Sequence, residues 1–134
     1  MKTKMTKEKE KGELDDGFGK NYIDRLYNVY VILWTKKYGL KPILSYAMVG
    51  RIMKDLVKSL TEKQIALLLI VYFDWKGADG NDTFIEKKLQ NSTHSIFLFN
   101  RELNSIRAYI QNVMKVDMED ESQLDSYITN LVKE

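Results

Sequence analysis

Residues 65–73 are apolar on every side: Ile65, Leu67, Leu68, Leu69, Ile70, Val71, Tyr72 and Phe73 are interrupted only by Ala66. A segment without a polar face belongs in the middle of a fold. Immediately before it stands Thr61-Glu62-Lys63-Gln64, in which a threonine followed three residues later by glutamine matches a capping box. The two signals together predict a helix over about 61–75 at the centre of a bundle. Because β-branched and aromatic residues cluster over 66–73, a buried strand is the alternative there; the cap signal favours the helix.

The flanking segments have the periodicity needed to pack around such a centre. Ile23, Leu26, Tyr27, Tyr30, Leu33, Trp34 and Tyr38 recur at three- and four-residue steps, predicting a helix over 22–38. Gly39 ends it, because glycine takes the left-handed conformation at a C-terminus without penalty, and Lys36 and Lys37 suit the negative end of the helix dipole. Pro42 separates it from a second helix over 45–60, with Ser45 as N-cap and Met48, Val49, Ile52, Met53, Leu56, Val57 and Leu60 as its apolar side. Two glycines and three Asx residues mark 76–83 as a loop. A short helix over 84–89, a break at 91–93, a long helix over about 96–114 facing inward through Phe99, Leu103, Ile106, Tyr109, Ile110 and Val113, and a last helix over 122–132 complete the reading. Residues 1–20 hold too few apolar groups to offset the entropy of ordering them and are expected to be a disordered charged tail. The expected architecture is therefore all-α: a single compact domain over 21–134 of about five helices, with the outline of a helix-turn-helix where the second and third meet.

Composition excludes several chemistries. The chain of 134 residues has no cysteine, so disulfides, thiolate metal sites and cysteine nucleophiles are out. Its start shows no apolar core of signal-peptide length, and 65–73 is too short to span a bilayer, so a cytoplasmic location without membrane contact is expected. The lone histidine, His94, sits in a polar turn without further ligands and is read as a capping or surface residue. The loop around Asp79 and Asp82 lacks the calcium-loop alternation, and neither a Gly-Lys-Ser/Thr phosphate loop nor a Gly-x-Gly-x-x-Gly pattern occurs. Paired carboxylates occur only at Asp15-Asp16 and Glu119-Asp120-Glu121, in solvated stretches. No catalytic residue, metal or cofactor is expected, and the protein is read as non-enzymatic.

Charge is the strongest functional lead. Residues 21–76 carry nine Lys/Arg against four acids, a net +5, whereas 117–134 carry one against six, a net −5. A basic half points to an anionic partner, of which nucleic acid is the commonest; solvated helix faces are the alternative. Arg51, Lys54 and Lys58 fall at three- and four-residue spacing on one helix face, and Lys36, Lys37 and Lys41 cluster around a helix end, an arrangement suited to phosphates of DNA or RNA. Lys87, Lys88, Arg101 and Arg107 are secondary candidates. Tyr22, Tyr27, Tyr30, Trp34 and Tyr38 either stack on unpaired bases or fill the core. The acidic end either shields the basic face or serves solubility and protein contacts.

The motifs Tyr38-Gly39-Leu40-Lys41-Pro42, Gly50-Arg51-Ile52-Met53-Lys54-Asp55-Leu56 and Ile70-Val71-Tyr72-Phe73, followed by Phe97-x-Phe99 and Asn104-Ser105-x-x-Ala108-Tyr109, resemble small phage replication and DNA-associated proteins. The richness in lysine, asparagine, isoleucine and tyrosine goes with the AT-rich coding of low-GC bacteria and their phages. The resemblance implies a phage-encoded accessory role in DNA replication or transcription, with Lys41, Arg51 and Lys54 as the matched basic positions. The alternative expectation is a phage protein that binds and inhibits a host machine, such as a polymerase, a nuclease or a CRISPR effector.

Overall fold

The computed structural model describes residues 11–133, and side chains through Leu131. The described residues are helical, with no strand among them, so the strand alternative for 66–73 falls away. Seven helices are present among them rather than about five: α1 Tyr22–Tyr38, α2 Tyr46–Leu56, α3 Glu62–Tyr72, α4 Thr83–Asn91, α5 Ile96–Arg101, α6 Leu103–Tyr109 and α7 Glu121–Lys133. No helix among the described residues is long and apolar enough to cross a membrane.

The centre is α3, which packs against α1, α6 and α7. Residues 65–69 have no exposed surface at all. Its capping box forms in full: Thr61 Oγ1 accepts the Gln64 amide at 3.1 Å, and Gln64 Oε1 accepts the Thr61 amide at 3.0 Å. Burying α3 on every side drives the bundle, since each fully buried Leu or Ile contributes about 1.5–3 kcal/mol. α1 ends on Gly39 in the left-handed conformation, as its sequence dictates. α2 starts at the Ser45 cap but stops four residues early, at Leu56, where Val57–Leu60 tighten into a turn leading to α3.

Two expectations need correction. The segment 11–20 is packed rather than loose: Leu14 and Phe18 are buried, and a short 3₁₀ turn spans Asp16–Phe18. Gly12 makes this possible. Its φ is +85°, and a Cβ there would lie 2.5 Å from Thr61 Cβ, so only glycine lets the strap approach the start of α3. Two apolar side chains suffice because buried polar bonds hold the strap as well. The first half of the expected tail, residues 1–10, lies outside the described residues.

The second correction concerns the long helix over 96–114, which is broken into α5, α6 and a π-helical turn, Ile110–Met114. The wider turn shifts the following residues off the 3.6-residue spiral. Ile106 and Ile110 stay fully buried, but Val113, expected to face inward, is exposed. Lys115 closes the turn in the left-handed conformation, φ +60°.

Candidate nucleic-acid interface

The six candidate cations have different surroundings. Arg51 and Lys54 line the outer face of α2, and Lys58 continues it in the turn just beyond; on the opposite side Val49, Gly50, Met53 and Leu56 are buried against the rest of the bundle. The close seat of α2 on α1 runs through Gly50, where an added Cβ would meet Ile23 at 3.2 Å. Asp55 lies on the same outer face and pairs with Lys58 at 3.4 Å; with both side chains about 70% exposed, the pair contributes little. Arg51 and Lys54 have no ion pair among the described residues.

Lys36 and Lys37 look elsewhere. Lys36 Nζ donates to the Leu131 carbonyl of α7 at 2.7 Å, and Lys37 lies 3.8 Å from Asp74 at the end of α3. α1 packs on both α2 and α3, and the partners of these two lysines lie on or beside α3 and α7 rather than α2. Lys41 is exposed in the α1–α2 connection, without an ion pair among the described residues and between two exposed apolar residues, Leu40 and Ile43. The interface candidate therefore contracts to the α2 face with Lys41 at its N-terminal end.

The described carboxylates of α7 are engaged away from that face. Glu121 and Asp125 hold Lys63 of α3 at 2.9 and 2.8 Å, and Glu121 also accepts the Gly12 amide at 3.1 Å. Burial pushes the Lys63 ammonium down, but the hydrogen bonds to Asp125 and Glu121 outweigh it and hold the pKa above its ordinary value. Lys63 and Gly12 in turn lower the Glu121 carboxyl. The α7 acids thus fix the strap and α3 in place and leave α2 positive.

His94 is neither a surface residue nor a cap. It is buried, stacks on Phe73 with ring centroids 5.0 Å apart, and places Nδ1 2.6 Å from the Tyr38 hydroxyl. Burial, and to a lesser degree the nearby Lys37, lower its pKa to about 4, so the ring is neutral at pH 7. Thr93 and His94 both have left-handed backbone, φ +51° and +53°. Hydrogen bonds to the carbonyls of this turn explain how the strain is tolerated: Trp34 Nε1 donates to Thr93 O at 2.8 Å, the Tyr30 hydroxyl to His94 O at 2.6 Å, and the Tyr72 hydroxyl to Ser95 O at 2.6 Å. Tyr30, Trp34 and Tyr38, weighed as base-stacking residues, are instead engaged in fastening the α4–α5 turn. Tyr27 is half-buried and packs against Tyr46, whose hydroxyl bonds Asp24.

Arg25 escaped sequence reading altogether. It is buried on α1, with Nε 2.7 Å from Glu62 Oε1, Nη2 3.0 Å from Glu62 Oε2 and 3.2 Å from Glu13, and Nη1 donating to the Gly19 carbonyl at 3.3 Å. An arginine within an apolar helical pattern was the available signal. No group of three or more histidine or acidic side chains suited to a metal exists among the described residues. No protein-family model, curated protein or solved structure matches this chain.

Proposed function

We propose that the protein is a non-enzymatic nucleic-acid-binding accessory protein, phage-encoded and acting in DNA replication or transcription. The observation that carries this reading is the outer face of α2 and its following turn: Arg51, Lys54 and Lys58 at helical spacing, exposed, and beyond reach of the α7 carboxylates. Such a row tracks successive phosphates without reading bases. A helix-turn-helix reading of α2 and α3 would need α3 in a major groove, but α3 is enclosed, so on this proposal α2 is the helix laid against the backbone. Binding is then shape- and charge-driven rather than sequence-specific.

The test is a salt titration on single- and double-stranded DNA and RNA. Three phosphate contacts on duplex predict a log K against log salt slope of about −3. Arg51→Glu, Lys54→Glu and Lys58→Glu together abolish binding while helicity is retained. Absence of binding at low salt refutes the reading.

A second reading rests on a separate observation. Ile43 is fully exposed and Leu40 is 59% exposed, beside Lys41, and phosphates have no use for such apolar groups. On this reading the connection docks on a host protein machine. Capture of a specific protein from nuclease-treated lysate, abolished in Ile43→Asp, favours it over the first.

A further inference from the structure

A cleft of about 660 Å³ lies between the α2–α3 turn, α6 with its π-helical turn, and the loop that enters α7. Neither the α2 face nor the His94 cluster contributes to it. Its volume falls in the ordinary range for small-ligand sites. One wall is rigid because Gln64, already tied into the Thr61 capping box, also donates through Nε2 to Met118 O at 3.0 Å, pinning the loop to α3.

The backbone irregularities of this half of the molecule gather here. The π-helical turn forms one side, and Lys115 closes it with φ +60°, a conformation that glycine or asparagine adopts at far lower cost. A lysine in this conformation is uncommon enough to suggest a constraint beyond its backbone. Arg107, two turns earlier, is exposed into the same cleft, and its only hydrogen bond among the described residues is a stretched 3.5 Å approach to Asn104.

Asp117 and Glu119 line the cleft as well, yet neither is within ion-pairing distance of Arg107 or Lys115. Asp117 Oδ1 already accepts the Glu119 amide at 2.9 Å, but no ion pair joins these cations to these carboxylates, so a ligand can still meet both sets. A ligand satisfying both must bring acceptors for the cations and donors for the acids. Inorganic phosphate and acidic peptides supply only the first. A nucleotide supplies both: phosphate oxygens for the guanidinium fork and the ammonium, and base N–H edges for carboxylates and for the exposed amides of Asn104 and Gln111. Leu60 and Met118 provide apolar surface for the base.

We infer that this cleft binds one nucleotide unit, with Arg107 and Lys115 on its phosphates and the amide and carboxylate side chains on its base. The inference extends the nucleic-acid reading and rests on it for the nucleotide being part of a strand. Leu60, at the cleft, follows Lys58 by two residues, so a backbone tracked by α2 leads to this opening. An unpaired base enters such a cleft and a duplex does not, so the strand is single.

The full-length protein is titrated with thymidine 3′,5′-bisphosphate, inorganic phosphate and a hexaglutamate peptide, followed by backbone amide NMR shifts. The expected result is that the bisphosphate alone shifts amides over 104–119, with affinity reduced about 10- to 100-fold in Arg107→Gln and in Lys115→Gly. Lys115→Gly carries a second readout. Relief of the left-handed backbone raises Tm by a few degrees while binding falls, an opposition that a purely structural lysine does not produce. The inference is overturned if the bisphosphate shifts nothing there, if phosphate or hexaglutamate binds as tightly, or if Lys115→Gly binds like the wild type. A dT oligonucleotide separates the two levels. Oligonucleotide binding abolished by α2 charge reversal but untouched by the cleft variants removes the cleft and keeps the reading. Bisphosphate binding without oligonucleotide binding removes the reading and keeps the cleft.

Discussion

Arg25 and Arg51 are both helix arginines of the basic half, and the molecule uses them in opposite ways. Arg25 is enclosed, 5% exposed at its side chain, and its guanidinium is spent on Glu62, Glu13 and the Gly19 carbonyl. Arg51 is exposed, with Lys54 and Lys58 beside it along the α2 face. The difference shows that net charge alone is a poor guide to a binding surface. Of the cations in residues 21–76, Arg25 and Lys63 are committed to internal carboxylates, Lys36 donates to α7, and Lys37 and Lys76 make long, partly exposed pairs with Asp74 and Glu86 at 3.8 and 3.7 Å. The exposed cations of this stretch that pair with no other element among the described residues sit along α2 and its turn and at Lys41. Stability therefore belongs to the enclosed set and binding to the open one, and variants of each test that division.

The largest effect is expected at Arg25. Arg25→Met leaves Glu62, only 12% exposed, buried without its cation, at a cost of about 3–5 kcal/mol. At this chain length that lowers Tm by about 10–20 °C. Hydrogen exchange at Gly12 and Leu14 rises too, since the Leu14 amide bonds Glu62 and the strap is anchored there. The double variant Arg25→Met, Glu62→Leu recovers most of the loss, because two apolar groups no longer leave a charge stranded. A loss below about 1 kcal/mol for Arg25→Met breaks the contrast between enclosed and open cations.

Next in size is the pH dependence set by His94. In the folded state its pKa falls to about 4, whereas the unfolded chain titrates near 6.5, so between those values the unfolded state binds more protons. Stability is thus flat above about pH 6.5 and falls as the pH drops through 6.5 towards 4, by up to about 3 kcal/mol in all. Urea denaturation at pH 7.5, 5.5 and 4.5 checks this, and His94→Gln should flatten the curve over that window. A wild-type curve that is level from pH 7.5 to 4.5 means that His94 is not held buried and neutral in the folded protein. Smaller again is Thr61→Ala, which removes the side-chain half of the capping box and lowers stability by about 1 kcal/mol in the same assay.

Where local chemistry decides, sequence and structure agree residue for residue. α1 begins and ends at Tyr22 and Tyr38 because Asn21 caps it and Gly39 stops it, and α3 starts where Thr61 and Gln64 close their box. What escaped reading depends on partners distant in sequence. Nothing around Leu14 and Phe18 announces that Arg25, Glu62, Lys63 and Glu121 converge to fasten them. His94 looks polar in its own turn, but the aromatic rings that gather around it come from α1 and from the end of α3. The same limit applies to the candidate interface: Arg51, Lys54 and Lys58 were legible together because one helix and its closing turn set their spacing, whereas the contacts of Lys36 with α7 and of Lys37 with Asp74 depend on how α1 packs.

The smallest expected effect on stability is the most informative about function. Replacing Arg51, Lys54 and Lys58 singly by alanine should change stability by less than about 0.5 kcal/mol each, because they are exposed and their only ion pair among the described residues is the solvent-screened one to Asp55. Each replacement should weaken nucleic-acid binding and make the salt slope shallower by about 0.9 for every phosphate that the variant no longer grips. Asp55→Asn works in the reverse direction: it removes a carboxylate from that face, so affinity rises at low salt while stability stays within the same small margin. A residue that matters to the fold and not to a ligand gives the opposite pattern, as Arg25→Met should. If the α2 variants destabilise the protein yet leave the salt slope unchanged, α2 is scaffold, and the exposed apolar connection at Leu40 and Ile43 becomes the surface through which this protein meets its partner.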